Sequence, residues 1–278
     1  MSIKHFFTLI LVLVLSACST TPKKKPFTGV SISEVFTDSL SIRAIVPQDA
    51  SSVWFAANKG VVGLITNKTP KLVTVQYDKK PLHFRAIAKT TSAVFILSID
   101  TPAVLYKIDI KDNEASAMQE VYLETGAGVF YDAISFWNDT EGIAMGDPID
   151  GCLSIIITRD GGDSWAKLPC DNLPDIVAGE AAFAASNSNI AIQGDHTWIV
   201  TGGQRARVFH SPDKGVTWAV YDTPMLQGGV MTGIYSVDFL DTNTGVIVGG
   251  NWDDKYFNQG NKAITKDGCL LYTSPSPR

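Results

Sequence analysis

The 278 residues carry 23 Lys and Arg against 28 Asp and Glu, a formal charge of −5, with 45% hydrophobic and 18% charged residues. That balance is globular, and it supplies no basic stripe to follow a phosphate backbone, so nucleic acid is not an expected partner. Near the start, Lys4 precedes an apolar run from Phe6 to Leu15 that is too short to span a bilayer as a stable helix.

Leu15-Ser16-Ala17-Cys18 closes that run and resembles a bacterial lipobox. The resemblance implies a signal peptide over 1–17, lipidated Cys18 as the first mature residue, and anchoring at the periplasmic or outer-membrane face of the cell envelope. Loss of 1–17 removes Lys4 alone among the Lys, Arg, Asp and Glu residues, leaving 22 basic against 28 acidic side chains and a net charge of about −6. Residues 18–29, with Lys23-Lys24-Lys25, are expected to form a solvated tether. Val30 to Phe36 alternates as a strand ahead of the first repeat, suited to completing the last one.

From there five units align on an innermost strand: Ser41–Ile45, His83–Ile87, Phe130–Ile134, Ala178–Ala182 and Gly233–Val237. Their middle positions, 43, 85, 132, 180 and 235, are 42, 47, 48 and 55 residues apart, room for four short strands each. A second strand with a polar end follows in every unit: Val53–Ala57 before Asn58, Val94–Ile99 before Asp100, Ile143–Gly146 before Asp147, Ile190–Gly194 before Asp195, and Val246–Gly250 before Asn251. No stretch sustains helical periodicity, so the chain is expected to be all-β.

In unit three a polar octet, Thr158-Arg159-Asp160-Gly161-Gly162-Asp163-Ser164-Trp165, separates two apolar runs. Unit four repeats it 53 residues on as Ser211-Pro212-Asp213-Lys214-Gly215-Val216-Thr217-Trp218, and Thr265-Lys266-Asp267-Gly268 begins a third copy. The Asp accepts backbone N–H groups a few residues on, Gly supplies positive φ, and the Trp folds back over the turn. Asp160, Gly162, Trp165, Asp213, Gly215, Trp218 and Asp267 are therefore structural. Units one and two make plainer turns, Thr66–Pro70 and Asp109–Glu114.

These octets resemble the Asp-box (BNR) repeat of sialidase-like β-propellers, and the blade pattern is similar to that of the photosystem II stability/assembly factor family. The resemblance implies a β-propeller over 30–268, five four-stranded blades being visible and six or seven expected in the intact protein. Cys269 to Arg278 does not continue the repeat and is expected to be non-native. Across the first octet, positions whose numbers sum to 322 face each other. That makes Cys152 and Cys170 cross-strand neighbours, either disulfide-bonded or a pair of half-buried thiols.

No Walker loop, dinucleotide fingerprint, Gly-x-Ser-x-Gly elbow or His-Glu-x-x-His occurs, and His83, His196 and His210 have no metal-ligand spacing, so neither cofactor nor metal is expected. In a propeller, the start of the inner strand and the end of the second lie around the channel mouth, with the Asp boxes at the opposite end. That places Arg43, Arg85, Asp132, Glu180 and Tyr235 in one ring, with Asp147 and Asp195 just behind it. Guanidinium forks suit a carboxylate, and acids suit proton transfer or hydroxyl binding. Alternatively, Arg43 or Arg85 merely pairs with Asp132 or Glu180.

Sialidase-like enzymes use an arginine cluster with an acid and a Tyr/Glu pair at this mouth, which makes Asp132, Glu180 and Tyr235 the catalytic candidates of a hydrolase reading. The Phe/Tyr-Arg-Ile-Pro signature is absent, with Phe84-Arg85-Ala86-Ile87 the nearest approach. Trp137 lies on a turn where it is expected to be exposed, and Trp252, Tyr256 and Phe257 fall in a polar insertion at the mouth, suited to stacking on sugars or on a partner protein. The expectation is a monomeric, lipid-anchored binding or assembly module with an envelope protein or glycan ligand. A glycoside hydrolase is the alternative. An oxidoreductase label, attached to some relatives, has no motif behind it here.

Overall fold

Asn67-Lys68, Asp78-Lys79 and Asp112-Asn113 each place two successive residues at positive φ, the backbone of a tight hairpin whose twist matches that of its strands. Such turns separate β-branched and aromatic runs all along the chain. The structure, a computed structural model, describes residues 39–184 and 187–268, the single residues Gly29, Ile32 and Glu34, and the backbone of Leu271–Thr273. Apart from those three single residues, the expected signal peptide, Cys18, tether and leading strand lie outside the described residues. The chain divides at Val35/Phe36 into two units, and every sheet belongs to the second.

Five antiparallel sheets follow one another, each built on four strands. The fifth is extended to six strands by Glu180–Ala181 and Gly202–Gly203, which join it through Gly202 opposite Gly233. A two-stranded hairpin, Gln76–Tyr77 with Lys80–Pro81, lies between the first and second. The first is Ile42–Pro47, Ser52–Ala57, Val61–Thr66 and Thr69–Thr74. The second is Phe84–Lys89, Ala93–Ser98, Ala103–Lys111 and Glu114–Glu124. Tyr131–Phe136, Gly142–Ile149, Cys152–Thr158 and Ala166–Lys167 make the third. Ile190–Gln193, His196–Val200, Arg207–Ser211 and Ala219–Asp222 make the fourth. The fifth is Thr232–Phe239, Gly245–Asn251, Lys262–Thr265 and Leu271–Thr273. Leu271–Thr273, beyond the point where the repeat pattern stops, thus pairs with Ala263–Thr265 as a fourth strand.

The core lies between successive sheets, not within any one of them. Trp54 and Leu64 of the first meet Phe84 and Ile96 of the second, and Phe95 and Leu105 of the second meet Tyr131 and Trp165 of the third. Ile143 and Ile155 then meet Ile199 and Phe209, and Trp198 of the fourth sheet stacks on Phe239 of the fifth at 3.7 Å. A sheet buried on both faces reads as an unbroken apolar run, which explains why Ala93–Ser98 and Cys152–Thr158 are buried at every residue.

The Asp boxes fasten these interfaces as well as their own hairpins. Asp160 accepts from the Ser164 N–H (3.0 Å) and hydroxyl (2.6 Å), and Asp213 accepts from the same groups of Thr217 at 2.8 and 2.6 Å. The Ser164 hydroxyl, foremost among these partners, holds the Asp160 carboxyl down at about 2. Gly162, at φ +80°, lies so close to Phe95 of the preceding sheet that a Cβ would fall 2.2 Å from its ring. Trp165 packs edge-on against Phe95 and Phe136.

Sheet four departs from the repeat. Its inner strand is interrupted: Glu180–Ala181 pairs with Gly202–Gly203, and the strand resumes at Ile190, opposite Ile199. Between those pairs the second strand spends two residues, Val200 and Thr201, while the inner strand spends eight, 182–189. This excursion runs along the inner strands of the other sheets. Asn187 accepts from the Ile134 N–H (3.0 Å) and donates to the Ile87 carbonyl (2.8 Å), while the Ser188 carbonyl accepts from the Val237 N–H (2.9 Å). The channel edges of sheets two, three and five are thus tied by one segment of sheet four.

The expected cysteine pair is bonded, Cys152 to Cys170, with Cα atoms 5.5 Å apart. The register differs from the expected one: Ile156 faces Lys167 and Ile157 faces Ala166, so paired positions sum to 323. Cys170 opens a 3-10 turn, Cys170–Asn172, beyond the strand, and reaches Cys152 from there. Trp137, expected to be exposed, is half-buried; its indole N–H donates to Thr197 at 2.7 Å.

Replacing Asn187 by Ala leaves a backbone N–H of sheet three and a carbonyl of sheet two without their partner. At about 1–3 kcal/mol per buried group, unfolding free energy is expected to fall by roughly 2–4 kcal/mol in urea melts, with faster hydrogen exchange at the Ile134 amide.

Candidate functional site

One backbone feature recurs at the start of the inner strands. The register slips between Ile42 and Ala44, between Phe84 and Ala86, between Tyr131 and Ala133, and between Ile234 and Ser236. A bulge leaves one residue out of the ladder and re-aims its side chain. The four residues so displaced are Arg43, Arg85, Asp132 and Tyr235.

Which end of the sheets this is follows from three equivalent bonds. Gly161, Lys214 and Gly268, all in Asp-box turns, donate at 2.8 Å to the carbonyls of Thr140, Asp195 and Asn243, each in a turn between first and second strands. The boxes and those turns share one end, and the bulges lie at the other. Asp195 is therefore at the box end, where its carboxylate lies 3.5 Å from the Lys214 ammonium, and is not a mouth residue.

Glu180 is displaced too. Tyr131 pairs with Gly146, Ile234 with Gly249, and in sheet four Ala181 pairs with Gly202. The bulge position of sheet four is Ala182, where the excursion begins. Gly194-Asp195 imitates Gly146-Asp147, and this moved the sequence alignment by one strand. Gly202 was the available signal: like Gly146 and Gly249, it lies too close to a neighbouring backbone for a Cβ, 2.6 Å from the Thr232 carbonyl oxygen. Glu180 itself holds Arg207 through Nε at 3.0 and 3.1 Å and Nη2 at 2.5 Å, accepts from the Thr201 hydroxyl, and has a fully buried side chain. Sequence reasoning missed Arg207, whose partner is two strands away.

The remaining mouth residues differ in charge state. Arg43 is exposed and Arg85 half-buried, and among the described residues neither forms an ion pair. Arg85 has two weak neutral contacts, Nη1 to the Ala184 carbonyl at 3.3 Å and Nε to His83 Nε2 at 3.4 Å. Burial, with Arg43 adding, lowers its pKa. Burial, then Arg85 and Arg43, also lowers that of His83, favouring the neutral ring.

Asp132 is wholly buried, and neither carboxyl oxygen has a hydrogen-bond partner among the described residues. Burial and then Asp147 push its pKa well above the ordinary carboxylate range, against the opposing pull of Arg85. Asp147 accepts from the Ala182 N–H at 2.8 Å and is raised by burial. The Tyr235 hydroxyl donates to the carbonyls of Met231 (2.7 Å) and Gly250 (3.1 Å), and its ring meets Phe183 of the excursion edge-on at 4.9 Å. Glu180 is held by Arg207 and Thr201, and Tyr235 by two backbone carbonyls; among the described residues no hydrogen bond joins the two. The excursion thus touches two of the bulge residues, Arg85 through the Ala184 carbonyl and Tyr235 through the Phe183 ring.

No family model matches the chain, and no curated protein matches it in sequence. Among solved structures, "YCF48 bound to D1 peptide" superposes with a TM-score of 0.56 at 10% identity, over 84% of this chain and 68% of that one. "Structure of Dos1 propeller" gives 0.54 at 10% over 75% and 52%, and "Crystal structure of RRP9 WD40 repeats" gives 0.50 at 12% over 77% and 58%. The fold is a β-propeller. Its five sheets are blades, and this chain spans about half to two thirds of those propeller chains. Identities this low establish the fold alone.

Because native Asp132 keeps a proton that the unfolded chain loses above the ordinary carboxylate range, its stabilising contribution is complete below that range. It is lost as pH rises through the raised native pKa, and Asp147 acts in the same direction. Asp132→Asn is expected to flatten stability between pH 4.5 and 8, and at pH 8 to exceed the parent by on the order of 1–2 kcal/mol in denaturant melts.

Proposed function

We propose that this propeller is a binding or assembly module of the bacterial cell envelope, anchored through lipidated Cys18, whose mouth end takes a carboxylate-bearing peptide segment of a partner protein. The observation that carries this reading is the pair Arg43 and Arg85, placed by equivalent bulges on neighbouring blades with no carboxylate partner among the described residues. Burial, and then Asp147, raise the pKa of the neighbouring Asp132 against the pull of Arg85, which disfavours its charged form. Asp100 acts on Arg85 through space without forming an ion pair with it. A guanidinium whose contacts are a 3.3 Å carbonyl and a 3.4 Å imidazole exchanges them readily for a charge-assisted, bidentate carboxylate. That YCF48, a protein of the same fold, is solved with a D1 peptide bound supports a peptide as the occupant.

A protein crosslinked to the parent in intact envelopes, then purified, is the probe. Arg43→Ala with Arg85→Ala is expected to weaken its binding at least about tenfold and to reduce the salt dependence of what remains. Unchanged affinity in a variant with parental thermal stability overturns the reading.

A further inference from the structure

The connection from second to third strand is short in four blades: Ala57 to Val61, Ser98 to Ala103, Ile149 to Cys152 and Gly203 to Arg207. In blade five it runs from Asn251 to Lys262. This loop is held in shape at both ends. Trp252 N–H donates to the Met231 carbonyl at 3.0 Å, and the Asn261 and Gly260 carbonyls accept from Gly249 and Leu226 at 2.8 Å. Asn251 and Asp254 form side-chain turns with Asp253 N–H (3.0 Å) and Tyr256 N–H (3.2 Å).

An anchored loop that leaves Trp252 69%, Tyr256 86% and Phe257 41% exposed forgoes the burial those rings would otherwise gain. The three rings and Tyr235 line a cleft of about 700 Å³ together with Asp253 and Asp254. Lys255 also lines it, with its ammonium 5.7 Å from the centroid of the Tyr256 ring.

We propose that this cleft is a binding site for an organic cation, an alkylated or quaternary ammonium group. Aromatic faces present the negative side of their quadrupole, and such groups are recognised by surrounding rings. Two carboxylates against one ammonium leave the lining net negative, which opposes anionic ligands and adds attraction for a cation. The protein already places a cation of its own over one of the rings. Lys255 is in this view an internal competitor that occupies the Tyr256 face until a ligand displaces it. The site is separate from the arginine mouth, sharing only the Tyr235 wall.

The test is calorimetric titration of the full chain with choline, with its uncharged isostere 3,3-dimethylbutan-1-ol and with methyl glucoside. Choline is expected to saturate, with the isostere at least about fivefold weaker and the glucoside without competing effect. Trp252→Ala and Tyr256→Ala are each expected to weaken choline by about two- to fivefold, the scale of a ring at an exposed site. Lys255→Ala is expected to tighten it by a similar factor, a sign that neither a saccharide platform nor an anion site produces. All three positions are exposed, and thermal melts check that the variants keep the parental fold. Equal binding of choline and its isostere, saturation by the glucoside in place of choline, no saturation by either, or weaker binding in Lys255→Ala overturns the proposal.

Discussion

The inner strands of the first four blades have no strand paired along their channel edge, and that of the fifth has only the short Gly202–Gly203 at its start, so backbone N–H and C=O groups there still need partners. This protein meets the constraint from within. Blade four gives up the continuity of its own inner strand, and the segment so released serves Ile87, Ile134 and Val237 on three other blades. Asn187 suits the task because its amide both donates and accepts, and because it tolerates the positive φ, 57°, at which the segment holds it. The same segment supplies the Ala184 carbonyl that Arg85 donates to and the Phe183 ring beside Tyr235. The shape of the candidate site is therefore a by-product of satisfying inner-strand backbone.

The fold was legible in the sequence because its strongest local signal is periodic. The Asp box needs an acceptor, a positive-φ glycine and a covering ring at fixed spacing, so two copies set the register of everything between them. Four of the five ring positions were reached from that register alone. The physical reason they coincide, a bulge at one ladder position in each inner strand, leaves no mark in composition, since the bulged residues are two arginines, an aspartate and a tyrosine. The fifth position failed where the repeat was broken by an insertion. Six extra residues in blade four removed the constant strand length on which the alignment relied, and Gly194-Asp195 offered a false strand end. The pairing of Glu180 with Arg207 was beyond reach for a related reason: an ion pair between a first and a third strand depends on sheet order, not on sequence distance.

Burial decides the electrostatics of the mouth more than composition does. The sequence ring holds two arginines and two acids and looks balanced. In the fold, Glu180 is paired with Arg207 and burial disfavours the charged form of Asp132, so among the described residues the two arginines are left without an ion pair, Asp100 acting on Arg85 only through space. A carboxyl with no hydrogen-bond partner among the described residues is an unusual thing to bury, and burial favours its neutral form, since an isolated carboxylate there would cost far more. The bulge that re-aims Asp132 places it between Asp147, which favours its protonated state, and Arg85, which opposes it.

The blade-five loop carries the opposite sign from the mouth, and Tyr235 stands where they meet. Its hydroxyl is fixed by two backbone carbonyls, Met231 and Gly250, and the residue that follows Met231 in the bonding scheme is Trp252, whose N–H donates to the same Met231 carbonyl. One carbonyl thus orients a ring of the mouth and a ring of the loop together. A mouth with two arginines and a cleft with two carboxylates against one ammonium favour ligand groups of opposite charge. A ligand carrying both signs gains from both, whereas one carrying a single sign is directed to one place, so the charge pattern itself discriminates between occupants before any shape does.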